Sequence, residues 1–183
     1  MPIKPLNKTR MIAVVASLSA LSVATSYAML PLPNIKLMDT IIFVAGFCFG
    51  AVPGIIVAFM TWLIYGTLNP LGLSLPVLLT VMFAETIYAL AGWILSTYMR
   101  KKPSSSSTEH FIMFGVAGLF MTLAYDLVTN AVCGWLFYDS VWVGLLTMNF
   151  PVPMGLIHEA SNLMFFGLVV PLLIRAVKSF LLR

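Results

Sequence analysis

The sequence predicts an all-α membrane protein, six transmembrane helices in one compact bundle with both termini cytoplasmic, and three observations carry that expectation. Of its 183 residues, 61% are hydrophobic and only 9% charged, whereas a soluble domain carries about 25% charged residues to cover itself in water. Apolar runs of bilayer-crossing length recur along the chain. The Lys and Arg residues gather at the ends of those runs, which is how membrane topology is encoded.

A spanning helix needs about 20 apolar residues. The segments 11–30, 75–99, 111–137 and 151–174 meet that requirement directly. The stretch 37–66 is too long for one straight span and is interrupted at Val52-Pro53-Gly54, so it divides into 37–51 and 54–66. Charge parity decides for the division. With six spans, Lys4, Lys8, Arg10, Arg100, Lys101, Lys102, Arg175, Lys178 and Arg183 all fall on one side, leaving Lys36 outside. With five spans, those after the first group cross over, against the accumulation of Lys and Arg in short cytoplasmic loops. The first apolar run exceeds the 7–15-residue core of a signal peptide, so 11–30 is read as a retained span. Pro103-Ser104-Ser105-Ser106-Ser107-Thr108 reads as a flexible polar loop, and residues 1–183 as a single membrane domain in the cell membrane.

Several chemistries are excluded by composition. Cys48 and Cys133 are far apart within apolar segments, and His110 and His158 are the two histidines, so neither a disulfide framework nor a multi-His metal centre is expected. No phosphate-binding glycine loop is present. No metal, no cofactor and no nucleic-acid partner is expected.

Ionisable residues inside apolar spans carry the functional signal. An unpaired charge in hydrocarbon costs at least about 2.5–3.5 kcal/mol, yet Glu85, Asp126 and Glu159 fall at one level, between the outer surface and the midplane. Each has polar company at helical spacing: Tyr88 beside Glu85, Asn130 beside Asp126, and Asn162 beside His158 and Glu159. The arrangement predicts a polar cavity open to the outside. Hydrogen bonding between helices without any ligand is the other reading of the same set. Loops that would roof the cavity contain Asn34 and Lys36 between the first two spans, and Asn69 between the third and fourth. Tyr138, Asp139, Trp142 and Asn149 lie between the last two, where Trp135, Tyr138 and Trp142 also suit an interfacial aromatic belt.

Ala16, Ala20, Ala24 and Ala28 form a ladder of small residues along the first span. Such a stripe allows close helix approach in lipid, whether inside the bundle or against a separate protein. Gly46, Gly50 and Gly54 repeat the device and suit packing within the bundle.

The run Pro33-Asn34-Ile35-Lys36-Leu37-Met38-Asp39-Thr40, followed by Val44-Ala45-Gly46-Phe47-Cys48-Phe49-Gly50 and Pro53-Gly54, resembles the junction of the first two helices in substrate-binding S components of energy-coupling factor (ECF) vitamin transporters. That family shows an Asn-Val-Lys-Pro-like loop before an apolar helix ending in Gly and Pro; here Leu37 and Met38 stand where the loop continues through proline. The resemblance implies six helices, cytoplasmic termini and capture of a micronutrient from outside. It also implies docking of the Ala16, Ala20 and Ala24 stripe on a transmembrane coupling subunit, and through it on two cytoplasmic ATPases. The chain itself would then hydrolyse no ATP and perform no catalysis.

Weighing Glu85, Asp126 and Glu159 against His158, with Lys36 at the outer loop, predicts a small ring-bearing solute that is cationic or rich in N–H donors. Tyr88 or Tyr125 would stack on it. Two other classes stand beside capture. An intramembrane hydrolase would draw on His158-Glu159, although a zinc site of HExxH type lacks its second imidazole because Asn162 follows Ser161. A membrane scaffold would need no acids at a common depth.

Overall fold

In the computed structural model, residues 7–69, 72–101, 106–147 and 154–181 are described, and all their regular secondary structure is helical. The helices are α1 (Lys8–Ala28), α2 (Met38–Phe49), α3 (Ala51–Thr67), α4 (Leu75–Lys101), α5 (Ser107–Tyr138), α6 (Val141–Thr147) and α7 (Met154–Leu181). Lys4, Pro70, Leu71, Lys102, Pro103, Ser104, Ser105, Asn149, Arg183 and the start of the expected last span at 151–153 lie outside the described residues.

Four helices (α1, α4, α5 and residues 155–179 of α7) are long and apolar enough to cross a membrane. Their outward faces remain apolar: Phe83, Ile94, Phe120 and Leu172 are all exposed. Buried positions, by contrast, include Asp39, Glu85, Asp126, His158 and Asn162. A protein wetter inside than outside suits hydrocarbon surroundings, since such apolar area would drive aggregation in water.

The segment 37–66 does form two helices, but not with the expected break. The chain turns at Gly50, whose φ of 103° is open to glycine at little cost. Pro53 lies in the first turn of α3, where its missing N–H would have had no intrahelical partner. Proline here starts a helix and glycine ends the one before. At about 1.5 Å per residue, α2 is about 18 Å long, short of the roughly 30 Å hydrocarbon core.

Two further differences concern segments read as loops. Ser107 and Thr108 belong to α5, because the Ser106 side chain accepts from the Glu109 N–H at 3.0 Å and caps the helix. The Ser-x-x-Glu order is that of a capping box. Val141–Thr147, expected as loop, forms α6, which packs on α5 through a close approach of Gly134 and Gly144 that a Cβ on either would obstruct.

Helix α2 sits at the centre, contacting α1, α3, α4 and α7, and it is buried continuously from Met38 to Gly46. A Cβ on Gly46 would overlap the Ala89 carbonyl of α4, and one on Gly92 would overlap the Phe43 carbonyl. Gly54 of α3 faces Gly46 as closely, so two of the three expected packing glycines serve that role and Gly50 makes the turn.

On α1, Ser19, Ser22 and Ser26 form the buried row against α3 and α2. Ala16, Ala20 and Ala24 are exposed. The ladder is therefore not part of the packing inside this chain.

Short connections bring specific helix ends together. Tyr27, at the end of α1, donates through its hydroxyl to the Leu68 carbonyl at the end of α3 (3.0 Å). Asp39 in the first turn of α2 meets His158 in the second turn of α7 (3.0 Å). At the other end of those two helices, Cys48 lies within electrostatic reach of Lys178. Lys8 and Arg10 at the start of α1, and Arg100 and Lys101 at the close of α4, also fall at the end remote from Asp39.

Candidate ligand-binding site

The site begins with an acid in the first turn of a helix that is otherwise apolar but for Thr40. Asp39 is 3% exposed; its Oδ2 accepts from His158 Nε2 at 3.0 Å and from Asn162 Nδ2 at 2.6 Å. His158 and Asn162 are one turn apart on α7, so both reach the same carboxylate. The other imidazole nitrogen, Nδ1, lies 3.0 and 3.2 Å from the two carboxylate oxygens of Asp126 on α5. A carboxylate accepts and does not donate. Both ring nitrogens therefore carry hydrogen, and His158 is an imidazolium clamped between two acids that join α2, α5 and α7.

The network continues inward. Asn162 Nδ2 also donates to Thr122 Oγ1 at 2.7 Å, Tyr88 donates to the same oxygen at 3.1 Å, and Thr122 donates to the Gly118 carbonyl at 2.9 Å. Glu85 is fully buried. Its Oε2 accepts from the Trp62 indole N–H at 2.9 Å, and Asp39 lies close enough for the two carboxyl groups to interact directly. Glu85 thereby holds the Trp62 ring in place.

Lys36 enters from the α1–α2 connection. Its ammonium stands 5.2 Å from the Trp62 ring centroid and 5.0 Å from that of Tyr65, within cation–π range. Burial pushes the Lys36 ammonium below its ordinary value of 10.5, opposed by the nearby carboxylates of Asp39 and Glu85.

These groups surround a cavity of about 220 Å³. Asn34 and Lys36 form its loop wall, Asp39 and Trp62 come from α2 and α3, and His158 comes from α7. Helix α5 contributes Tyr125, Asp126, Thr129 and Asn130, which share one face by their spacing. Asn34 takes a left-handed conformation (φ 55°), which asparagine tolerates better than most residues. Among the described residues, no group of His, Cys, Asp and Glu is arranged to hold a metal ion.

Of the residues picked out by sequence, Asn34, Lys36, Tyr125, Asp126, Asn130 and His158 line the cavity. Glu85, Tyr88 and Asn162 stand directly behind that wall, holding Trp62, Thr122 and Asp39. Glu159 is half-buried; it feels the charges of Asp126 and His158 but is not in the lining. Asn69, half-buried in the α3–α4 connection, is not in the lining either. Asp39, Trp62, Thr122 and Thr129 were not picked out. A usable signal existed for two of them: Asp39 is the one acid in the apolar run 37–66, and Trp62 has Tyr65 at i+3 on its face.

Comparison with known proteins returns no match to this chain among family models, curated proteins or solved structures.

Proposed function

We propose that this chain captures a small solute at the outer face of a cell membrane and delivers it to an ECF-type ATP-driven importer, as its substrate-binding S component. The observation that carries the reading is the polar cavity itself: about 220 Å³ enclosed by one connecting segment and four helices, at the end of the bundle remote from the basic residues of α1, α4 and α7. Under the positive-inside rule that end is the outer one. A bundle that only needed internal hydrogen bonds would close over its polar residues, because unfilled polar space leaves groups unsatisfied.

Two further features support it. The loop and helix over residues 33–54 resemble the corresponding junction of ECF S components. The Ala16, Ala20 and Ala24 stripe is exposed, as docking on a transmembrane coupling subunit would require, with two ATPases bound to that subunit on the cytoplasmic side. In this reading α1 to α5 and α7 are the six membrane helices, the short α2 covering only part of the hydrocarbon depth, both termini are cytoplasmic, and the chain has no catalytic step. The hydrolase reading drew on His158 together with Glu159, and Glu159 is not in the cavity lining.

The deciding experiment is to purify the chain in detergent, denature it, and identify released small molecules by mass spectrometry. A solute present in stoichiometric amount is the expected result. Its absence, from protein shown to be folded and monodisperse, would remove the capture reading. Orientation is checked separately: a cysteine at Thr67 should react with an impermeant reagent from outside and one at Ser106 should not, in a background lacking Cys48 and Cys133.

A further inference from the structure

The hydrogen-bonding capacity left over in the cavity defines what can fill it. Both His158 ring nitrogens are already engaged with Asp39 and Asp126, so the imidazolium has no N–H for a ligand. The Trp62 N–H is committed to Glu85, so Trp62 offers only its ring face. Thr129 spends its hydroxyl hydrogen on the carbonyls of Tyr125 and Asp126, at 2.9 and 3.3 Å, and offers only lone pairs. Lys36 is the opposite case: its ammonium has two ring contacts and, among the described residues, no hydrogen-bond acceptor. Its charged groups, hydroxyl and rings therefore give the cavity a donor wall at Lys36, an acceptor wall at Asp39, Asp126 and Thr129, and aromatic surface from Trp62 and Tyr125, beside the amides of Asn34 and Asn130.

Charge follows the same division. The lining has two acids, Asp39 and Asp126, and two bases, Lys36 and His158. Within the lining, His158 shared between both acids leaves one negative charge in excess, and Lys36, within electrostatic reach of Asp39, balances it. An anion would gain Lys36 but be pressed against the carboxylates. A cation would gain the carboxylates but be pressed against the ammonium. The volume lies below the roughly 300–1,000 Å³ of sites for drug-sized molecules, which limits the occupant to about a single small ring system.

We propose that the cavity selects a small planar heterocycle of zero net charge, its acceptor edge toward Lys36 and its N–H donor edge toward Asp126 and Asp39. This deepens the capture reading and rests on it. It keeps the donor-rich half of the expectation from sequence and removes the cationic half, because Lys36 is part of the wall. A site built from charged donors and acceptors rejects a ligand that leaves one of them unmatched far more strongly than a greasy pocket rejects a wrong shape.

The test uses matched sets that differ in charge on a common ring: nicotinamide with nicotinate and 1-methylnicotinamide, and uracil with orotate. Binding to the purified full chain in nanodiscs is read by calorimetry and by Trp fluorescence. The expected result is that the neutral member of each set binds at least about tenfold more tightly than its charged counterparts. Lys36→Met should erase the preference over the cation, and Asp126→Asn the preference over the anion. Since Asp126→Asn removes a partner of His158 and can unfold the chain, the Lys36→Met result is sufficient alone. Tighter binding of a charged member, or a charged solute released from the purified protein, overturns the inference while leaving capture in place. No binding by any member, together with no released solute, overturns the capture reading as well.

Discussion

The two ends of α2 show contrasting solutions to burial. At its first turn Asp39 is surrounded by polar groups from α7 and stands at the edge of a cavity. Two turns on, Gly46 has no side chain and lets α3 and α4 approach its backbone. The closed end is held by shape alone, with carbonyls against glycines; the open end is held by charge, with one imidazolium between two carboxylates. A helix fixed at one end by backbone contact can present a charged group at the other with little freedom to drift, and that is what a selective cavity needs.

Removing the charge at the centre of the polar end should have the largest effect. In His158→Ala, Asp39 and Asp126 lose the cation they share, and breaking a buried ion pair by deleting one partner costs about 3–5 kcal/mol. Thermal unfolding in detergent should show a large loss of stability. If Asp39 and Asp126 were independently solvated, the loss would resemble that of an ordinary small truncation.

At the closed end, Gly46→Ala introduces a single methyl group against the Ala89 carbonyl, which is backbone and cannot swing aside. Overpacking of this kind costs about 1–3 kcal/mol, read in the same unfolding assay. A solute bound at the far end should retain its affinity once the protein is folded, because the insertion is separated from Asp39 by almost two helical turns.

Gly50→Ala provides the conformational version. A Cβ there meets nothing within 4 Å, so the cost comes only from the backbone, φ 103° with ψ 172°, a region essentially confined to glycine where another residue costs about 1–3 kcal/mol. A destabilisation well beyond that range in the same unfolding assay would mean the turn and the packing contact are not separable.

The smallest effect on stability is expected on α1. Ala20 is exposed, so Ala20→Trp should change stability within about 0.5 kcal/mol and leave solute binding by the isolated chain intact. Under the proposed docking on a coupling subunit, uptake should be lost, because the indole would hold the partner helix away. Loss of folding in the isolated chain would instead assign the ladder to internal packing.

How far these features can be read from sequence differs with the range of the interaction. His158 with Asn162, and Asp126 with Asn130, are legible because both members of each pair are on one helix at one-turn spacing. Asp39 is not legible as their partner, since the residues it pairs with are 119 and 123 positions away. Lys36 could be located in the connection before the apolar run 37–66 but not directed: only the rings of Trp62 and Tyr65 show that its ammonium points inward. Glu159 shows the reverse error, a residue adjacent to His158 whose side chain leaves the helix on a different face.

The amino-acid sequence by itself determined the solvent, the helical class and the gathering of basic residues, because composition and apolar run length are properties of segments and need no neighbours. It also determined that 37–66 must divide. Only the tertiary structure decided that the division falls at Gly50, that α1 buries serines and exposes alanines, and that a base from one connection and acids from two helices enclose a balanced cavity. Each of those outcomes depends on which helix lies opposite, and helix packing in lipid is set by shape and polar matching between surfaces distant in sequence.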